Sequence, residues 1–220
     1  MKALCINLSR RPDRKKMFED AIGRLIPGDC LDFISGVDGS TMWILEDFEG
    51  CHGDLACRAS HAIAYMECLK LQENVLIFED DAVTNDDFNW DQIVKDSDHF
   101  SGKEVLFYRA AKNPKGVPAD FGNWFNHKRS MGQLQTHAYM VTPKSAAILL
   151  ERILRLPCPV NMMQMSVDHP LFKMGHEGVI DVKNHSFFCI WQRPRKATGS
   201  DLQWSWPEAR GRKPFRPIDS

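Results

Sequence analysis

An α/β fold, with a mostly parallel central sheet flanked by helices, is predicted by two observations. Short apolar runs rich in β-formers recur along the chain, among them Ala3-Leu-Cys-Ile6, Val75-Leu-Ile-Phe78 and Glu104-Val-Leu-Phe-Tyr108. A short run that is apolar throughout reads as a strand buried on both faces, the kind found in parallel sheets. Between these runs lie stretches with apolar residues at helical spacing. Strands alternating with helices in this way build a sheet with helices packed on it.

The elements follow in order. Ala3–Leu8 is a first buried strand, and Ser9-Arg-Arg-Pro-Asp-Arg14 turns into a helix. Pro12 suits a first helical position, and Phe18, Ile22 and Leu25 give that helix an apolar face. Leu31–Ile34 reads as a second strand, and residues 40–53 as irregular. From Asp54 to about Leu71 a longer helix is marked by Leu55, Ala59, Ala62, Met66 and Leu69. Val75–Phe78 is the central strand, and Glu104–Tyr108 another. The Gly-, Pro- and Asn-rich stretch from Lys112 to Gly132 is long for a connection, which suggests a functional loop. Thr136–Val141 is a strand; Thr142 as N-cap and Pro143 as first residue open a helix to about Leu156. Asp168–Met174 reads as a short helix and Val179–Val182 as a last strand.

The central strand runs into Glu79, Asp80 and Asp81. In open α/β sheets, ligands bind outside the carboxyl ends of the strands. Three adjacent carboxylates repel one another unless a cation or hydrogen-bond donor compensates, and hard oxygen ligands suit Mg²⁺ or Mn²⁺. As alternate residues on a strand end, Glu79 and Asp81 would point the same way, with Asp80 opposed. A solvated acidic loop is the competing reading.

The 220 residues suit one domain over 1–202 with a basic, tryptophan-containing tail over 203–220. Hydrophobic content of 43% and charged content of 26% are those of a globular chain with a real core. No apolar run approaches the ~18 residues that span a bilayer. Charge follows the first strand too soon for a secretory signal, so the expected compartment is the cytoplasm. Seven cysteines point to reduced thiols rather than a disulfide framework. The net charge of −1 is uneven: Arg193 to Arg216 holds seven Lys or Arg against Asp201 and Glu208.

Four segments resemble glycosyltransferase family 25, which contains lipooligosaccharide-type sugar transferases and collagen galactosyltransferases. They are Ile6-Asn-Leu-Ser-Arg-Arg-Pro-Asp-Arg14, Val37-Asp-Gly39, Gly53-Asp-Leu-Ala-Cys-Arg-Ala-Ser-His61 and Leu76-Ile-Phe-Glu-Asp-Asp-Ala82. Ala56 stands where the family has a second glycine. Thr136-His-Ala-Tyr139, Val167-Asp168, Trp191-Gln192 and Ser200-Asp201 are similar to later landmarks. The resemblance implies a nucleotide-sugar-binding GT-A-like fold and transfer of a hexose, from UDP-glucose or UDP-galactose, to an acceptor hydroxyl on a glycan with inversion.

Such a donor leaves as a diphosphate, so a divalent cation, Mn²⁺ or Mg²⁺, on Glu79 and Asp81 with Asp80 helping would neutralise it. Arg10, Arg11 and Arg14 read either as forked donors to phosphate or as a solvated helix start. Asn7, polar at a buried strand end, takes a donor base or ribose, or a backbone group. His61 contacts the donor or is a hydrogen-bonded core histidine. A zinc site from Cys51, His52, Cys57 and His61 is a minor alternative, because the spacing matches no common finger and the resemblance gives Cys57 a family counterpart without zinc. Inversion needs one general base. Asp168 takes that role or caps the helix it precedes. His137, Tyr139 and Gln192 are further contacts, chiefly on the acceptor side. The tail interleaves Trp204, Trp206 and Phe215 with basic residues, a pattern compatible with nucleic acid, an anionic membrane surface or wrapping of the domain. A DNA acceptor with a hydroxymethylated pyrimidine is therefore an alternative to a glycan, and a non-catalytic sugar- or nucleotide-binding protein a third reading.

Overall fold

The computed structural model describes residues 1–42, 52–84, 86–108, 124–126, 136–153, 167–185 and 190–192. The first strand, β1 (Lys2–Asn7), leads into α1 (Pro12–Ala21) and the edge strand β2 (Leu31–Ser35). The long helix α2 (His52–Leu71) returns the chain to β3 (Val75–Glu79). Next come β4 (Ala82–Thr84), α3 (Trp90–Ser97), β5 (Glu104–Phe107), β6 (Trp124–Asn126) and β7 (Ala138–Val141). The described chain finishes with α4 (Pro143–Ile153), α5 (Asp168–His176), β8 (Asp181–His185) and β9 (Ile190–Gln192).

Seven strands form one sheet in the order β2-β1-β3-β7-β5-β8-β6, and β4 pairs with β9 in a separate ribbon. The helix-flanked α/β class is as expected. The pairing is more evenly mixed than a mostly parallel sheet: β1 runs parallel to β2 and β3, and β5 to β8, whereas β7 is antiparallel to β3 and β5, and β6 to β8. Residue pattern alone does not reveal this, because a strand buried on both faces looks the same in either direction.

β3 shows why the central run is apolar throughout. Val75, Leu76, Ile77 and Phe78 are all fully buried, and they alternate between two cores. Val75 and Ile77 join Tyr65 and Cys68 of α2, Leu149 of α4 and Leu171 of α5. Leu76 and Phe78 join Phe18 of α1 and Ile93 of α3. Removing any of these side chains from water stabilises the sheet by roughly 1.5–3 kcal/mol.

Local signals explain several boundaries. Thr142 Oγ1 accepts from Ser145 N at 3.0 Å while Ser145 Oγ accepts from Thr142 N at 2.9 Å, a reciprocal cap at the start of α4. The helix α3, absent from the sequence reading, begins at Asn89, whose side chain accepts from Gln92 N at 3.0 Å. The last predicted strand is shifted: Val179 and Ile180 precede β8 rather than belonging to it. Among the described residues Cys5, Cys30, Cys57 and Cys68 are free thiols, and no helix is long and apolar enough to cross a membrane.

The order β2-β1-β3 places a topological switch at β1. The chain leaves β1 through α1 toward β2 and then returns through α2 to β3 on the other side of β1. α1 and α2 pack on opposite faces, the arrangement in which α/β sheets bind ligands beyond the carboxyl ends of the strands; here Ile6 is level with Glu79 at those ends.

Among the described glycines, the closest approach is that of Gly175 on α5 to Val182 on β8. A Cβ on Gly175 would sit 2.5 Å from Val182 Cγ2. Gly175→Ala is expected to destabilise the chain by about 1–3 kcal/mol, read as a lowered urea midpoint with unchanged slope. An unchanged midpoint would show that the helix shifts freely there.

Candidate active site

Two networks meet at the turn that follows β3. The first is ionic. Arg14, on the first turn of α1 with Phe18 one turn further along the same face, is only 8% exposed. Its guanidinium lies 2.5 Å from Asp80 Oδ1 and 3.1 Å from Asp81 Oδ2. Asn7, the last residue of β1, donates its amide to Asp80 Oδ2 at 2.7 Å and to the Arg11 carbonyl at 3.2 Å. Asn7 therefore has both a carboxylate and a backbone partner. Burial pushes Asp80 up to about 6, against the charge of Arg14 and the Asn7 hydrogen bond, which pull it down.

The alternation expected for the acidic run is corrected here. β3 ends at Glu79, and Asp80 and Asp81 form a turn. Their carboxylates converge on one guanidinium instead of opposing each other across a strand. Glu79 is engaged by a different set of groups. The three arginines also part company: Arg10 pairs with Asp38, Arg11 with Asp13 at 2.9 Å, and only Arg14 turns inward.

The second network is buried. His61 of α2 is fully buried; its Nδ1 lies 2.7 Å from the Tyr139 hydroxyl, which lies 2.7 Å from the Tyr65 hydroxyl. On the other side of the ring, Nε2 is 3.4 Å from Glu79 Oε1. Thr136 Oγ1 donates to the same oxygen at 2.5 Å. Burial acts to raise the Glu79 carboxyl, but the His61 ring and the Thr136 hydroxyl outweigh it and hold Glu79 well below the usual range. Cys57, one helical turn before His61, completes a group whose ligand-type atoms, with those of His61 and Glu79, all lie within 4.8 Å of one another. Burial pushes the Cys57 thiol up, and the charges of Glu79, Asp168, Asp54 and Asp81 add to that.

The remaining site residues are placed as follows. Asp168 is the first residue of α5, with Val167 rather than Asp168 at the capping position. Its charge reaches Cys57 and Tyr65, raising both. Tyr139 is fully buried and its hydroxyl is taken by His61 and Tyr65. It supports His61 instead of facing an acceptor. His137 is 1% exposed, and its carbonyl accepts from Glu79 N at 3.1 Å. The Gln192 backbone pairs with Ala82 in the β4–β9 ribbon, just beyond Asp81. The side chain of Gln192, those of Cys51 and His52, the Met162–Met165 cluster and the tail over 203–220 lie outside the described residues.

Sequence reasoning missed Thr136, Tyr65 and Asp38 as participants. Asp38 holds Arg10, and its loop is pinned by Ser60, whose hydroxyl accepts from Val37 N at 2.8 Å and donates to the Ala56 carbonyl at 2.7 Å. The carboxylates of Asp80 and Asp81 have the hard-donor chemistry that suits Mg²⁺ or Mn²⁺. In the structure they face a guanidinium, a cation that meets the same need for charge compensation.

Removing that guanidinium leaves carboxylates without their counter-charge. Arg14→Met is expected to cost about 3–5 kcal/mol near pH 8. Losing the charge of Arg14 raises Asp80 further above its unfolded value. A carboxyl raised in the fold favours the fold when protonated and costs stability as pH rises through its folded pKa. The deficit should therefore shrink at about pH 5, as urea unfolding at the two pH values will show. A deficit independent of pH would contradict the assigned cluster.

The model of glycosyltransferase family 25 (LPS biosynthesis protein) matches residues 51–168, which include α2, the acidic turn and Asp168. No curated protein matches. Similar solved structures include a glycosyltransferase involved in glycosylation of the major capsid of PBCV-1, at 9% identity and a TM-score of 0.45, covering 81% of this chain and 76% of that one. A197 from STIV is similar at 11% identity and a TM-score of 0.43, covering 88% and 86%. A nucleoside-diphosphate-sugar pyrophosphorylase from Vibrio cholerae is similar at 14% identity and a TM-score of 0.40, covering 83% and 71%. With more than half of its length matched by the family, the chain belongs to glycosyltransferase family 25 and is a transferase of that family.

Proposed function

We propose that the chain transfers a hexose from a UDP-sugar, UDP-glucose or UDP-galactose, to a hydroxyl of a glycan with inversion. The observation that carries this reading is the Arg14–Asp80–Asp81 cluster at the carboxyl ends of β1 and β3, the place where such sheets bind nucleotides. Donor contacts are assigned to Asn7, Arg10, Arg14 and Asp80. His61, expected as a donor contact, is fully buried and faces Glu79 instead. Acceptor contacts are assigned to Gln192 and His137.

In the transfer, the acceptor hydroxyl oxygen bonds to the anomeric carbon as the carbon–oxygen bond to the diphosphate breaks. The hydroxyl proton passes to Asp168 as general base, and the bonding pair leaves with UDP. Charge grows on the departing diphosphate, and Arg14, as a forked donor, would compensate it. A divalent cation, Mn²⁺ or Mg²⁺, expected on Glu79 and Asp81, would be held here by Asp81 and Asp80, because Glu79 Oε1 is turned to His61 and Thr136; it would add Lewis-acid stabilisation of the same charge when bound.

The experiment is UDP release from UDP-glucose and UDP-galactose, with Mn²⁺ or EDTA and a panel of oligosaccharide acceptors. Asp168→Asn should lower kcat by about 10²–10⁴-fold while UDP binds as before. Full turnover by Asp168→Asn would remove it from the role of base. No turnover of any donor, with UDP still bound, would favour a binding protein on a transferase fold.

A further inference from the structure

We infer that Cys57, His61 and Glu79 form a binding site for a borderline-soft divalent ion of the zinc class, distinct in chemistry from an all-oxygen Mg²⁺ or Mn²⁺ site. The Cys57 Sγ, His61 nitrogen and Glu79 oxygen lie within 4.8 Å of one another. A thiol, an imidazole and a carboxylate are a zinc donor set, whereas Mg²⁺ and Mn²⁺ are served by oxygen.

The detailed geometry points the same way. His61 is fully buried, and its Nε2 completes no hydrogen bond. The Glu79 oxygen facing it is 3.4 Å away, beyond the 2.7–3.2 Å or so of an ordinary N–H···O bond. Two nitrogen or oxygen ligands at about 2.0–2.1 Å from a tetrahedral ion lie about 3.3–3.4 Å apart. A ring nitrogen and a carboxylate held at that spacing beside a thiol thus match two ligands of a shared ion.

The surroundings supply the support that a metal-bound histidine and carboxylate need. The other ring nitrogen of His61 is 2.7 Å from the Tyr139 hydroxyl, which fixes the ring. When an ion is bound, the tautomer with Nδ1–H donating to Tyr139, which then donates to Tyr65, would turn the Nε2 lone pair toward it. The Thr136 hydroxyl holds Glu79 Oε1 at 2.5 Å. Cys57 and His61 are one turn apart on α2, so a single rigid helix sets two ligands. On binding, the Cys57 sulfur gives up its proton to solvent and becomes the thiolate ligand. Three protein ligands leave a fourth position for water. The ion would fix the first carboxylate of the acidic turn from the core side, whatever donor or acceptor the enzyme uses.

The test uses the whole chain, purified with a tag that contains no histidine. Elemental analysis should find about one zinc per chain. After chelation, Co²⁺ should restore a near-ultraviolet thiolate-to-cobalt charge-transfer band together with the visible bands of four-coordinate cobalt. Cys57→Ser should abolish the charge-transfer band and lower zinc affinity at least about tenfold, and Tyr139→Phe should weaken binding by about 10–100-fold. Glu79→Gln, close in shape, tests the site should Cys57→Ser fail to fold as judged by circular dichroism. It should weaken zinc binding at least tenfold, by about as much as loss of a supporting contact or more. A band that survives Cys57→Ser, or a chain that takes up neither zinc nor cobalt, would overturn the inference. Since these readouts need no turnover, their failure is separate from failure of the donor assignment.

Discussion

The fold's functional end depends on a buried charge cluster. Arg14 brings its guanidinium to within 2.5 Å of Asp80 and 3.1 Å of Asp81, with all three residues less than a tenth exposed. Taking such groups out of water costs several kcal/mol per ion, and an apolar replacement of the whole set is often as stable. The cluster is therefore poor evidence of a stability device. It makes sense as a place where charge is kept for a ligand. It also ties three separate elements together, the end of β1 through Asn7, the start of α1, and the turn after β3.

A second layer of organisation comes from α2. Ser60 pins the loop that carries Asp38, and Asp38 holds Arg10. His61, one residue on, faces Glu79. One helix thus positions both the basic rim and the first carboxylate of the acidic turn. The Ser-His pair of the family resemblance has a physical role at each residue, and the two roles face different sides of the helix. Glu79 and Asp80, adjacent in sequence, end up in opposite electrostatic situations. Glu79 is held as an anion by His61 and Thr136, while burial lifts Asp80 to about 6.

Much of this was legible in the sequence, for reasons that particular residues make clear. The uninterrupted run Val75–Phe78 could only be a strand covered on both faces, and it is. Thr142-Pro143 marked a helix start through capping chemistry that the structure shows directly. The antiparallel insertion of β7 between β3 and β5 was not legible, because strand direction is set by pairing partners distant in the chain. Nor was the end of β3 at Glu79, so alternation was carried two residues too far. Two signals were present and unread. Asn89 and Gln92 have the spacing of a helix start, and Arg14 lies four residues before Phe18, on the buried face of α1. That spacing separates Arg14 from Arg10 and Arg11, which pair with Asp38 and Asp13.

In the proposed function the cluster meets a nucleotide diphosphate. The most direct measurement is calorimetric titration of UDP-glucose and UDP-galactose into the wild-type chain and into Arg14→Lys, at low and high salt. Lysine keeps the charge but loses the fork. Donor binding is expected to weaken about tenfold or more in Arg14→Lys, through loss of a charge-assisted bidentate contact. Equal donor affinity in both folded proteins would contradict it.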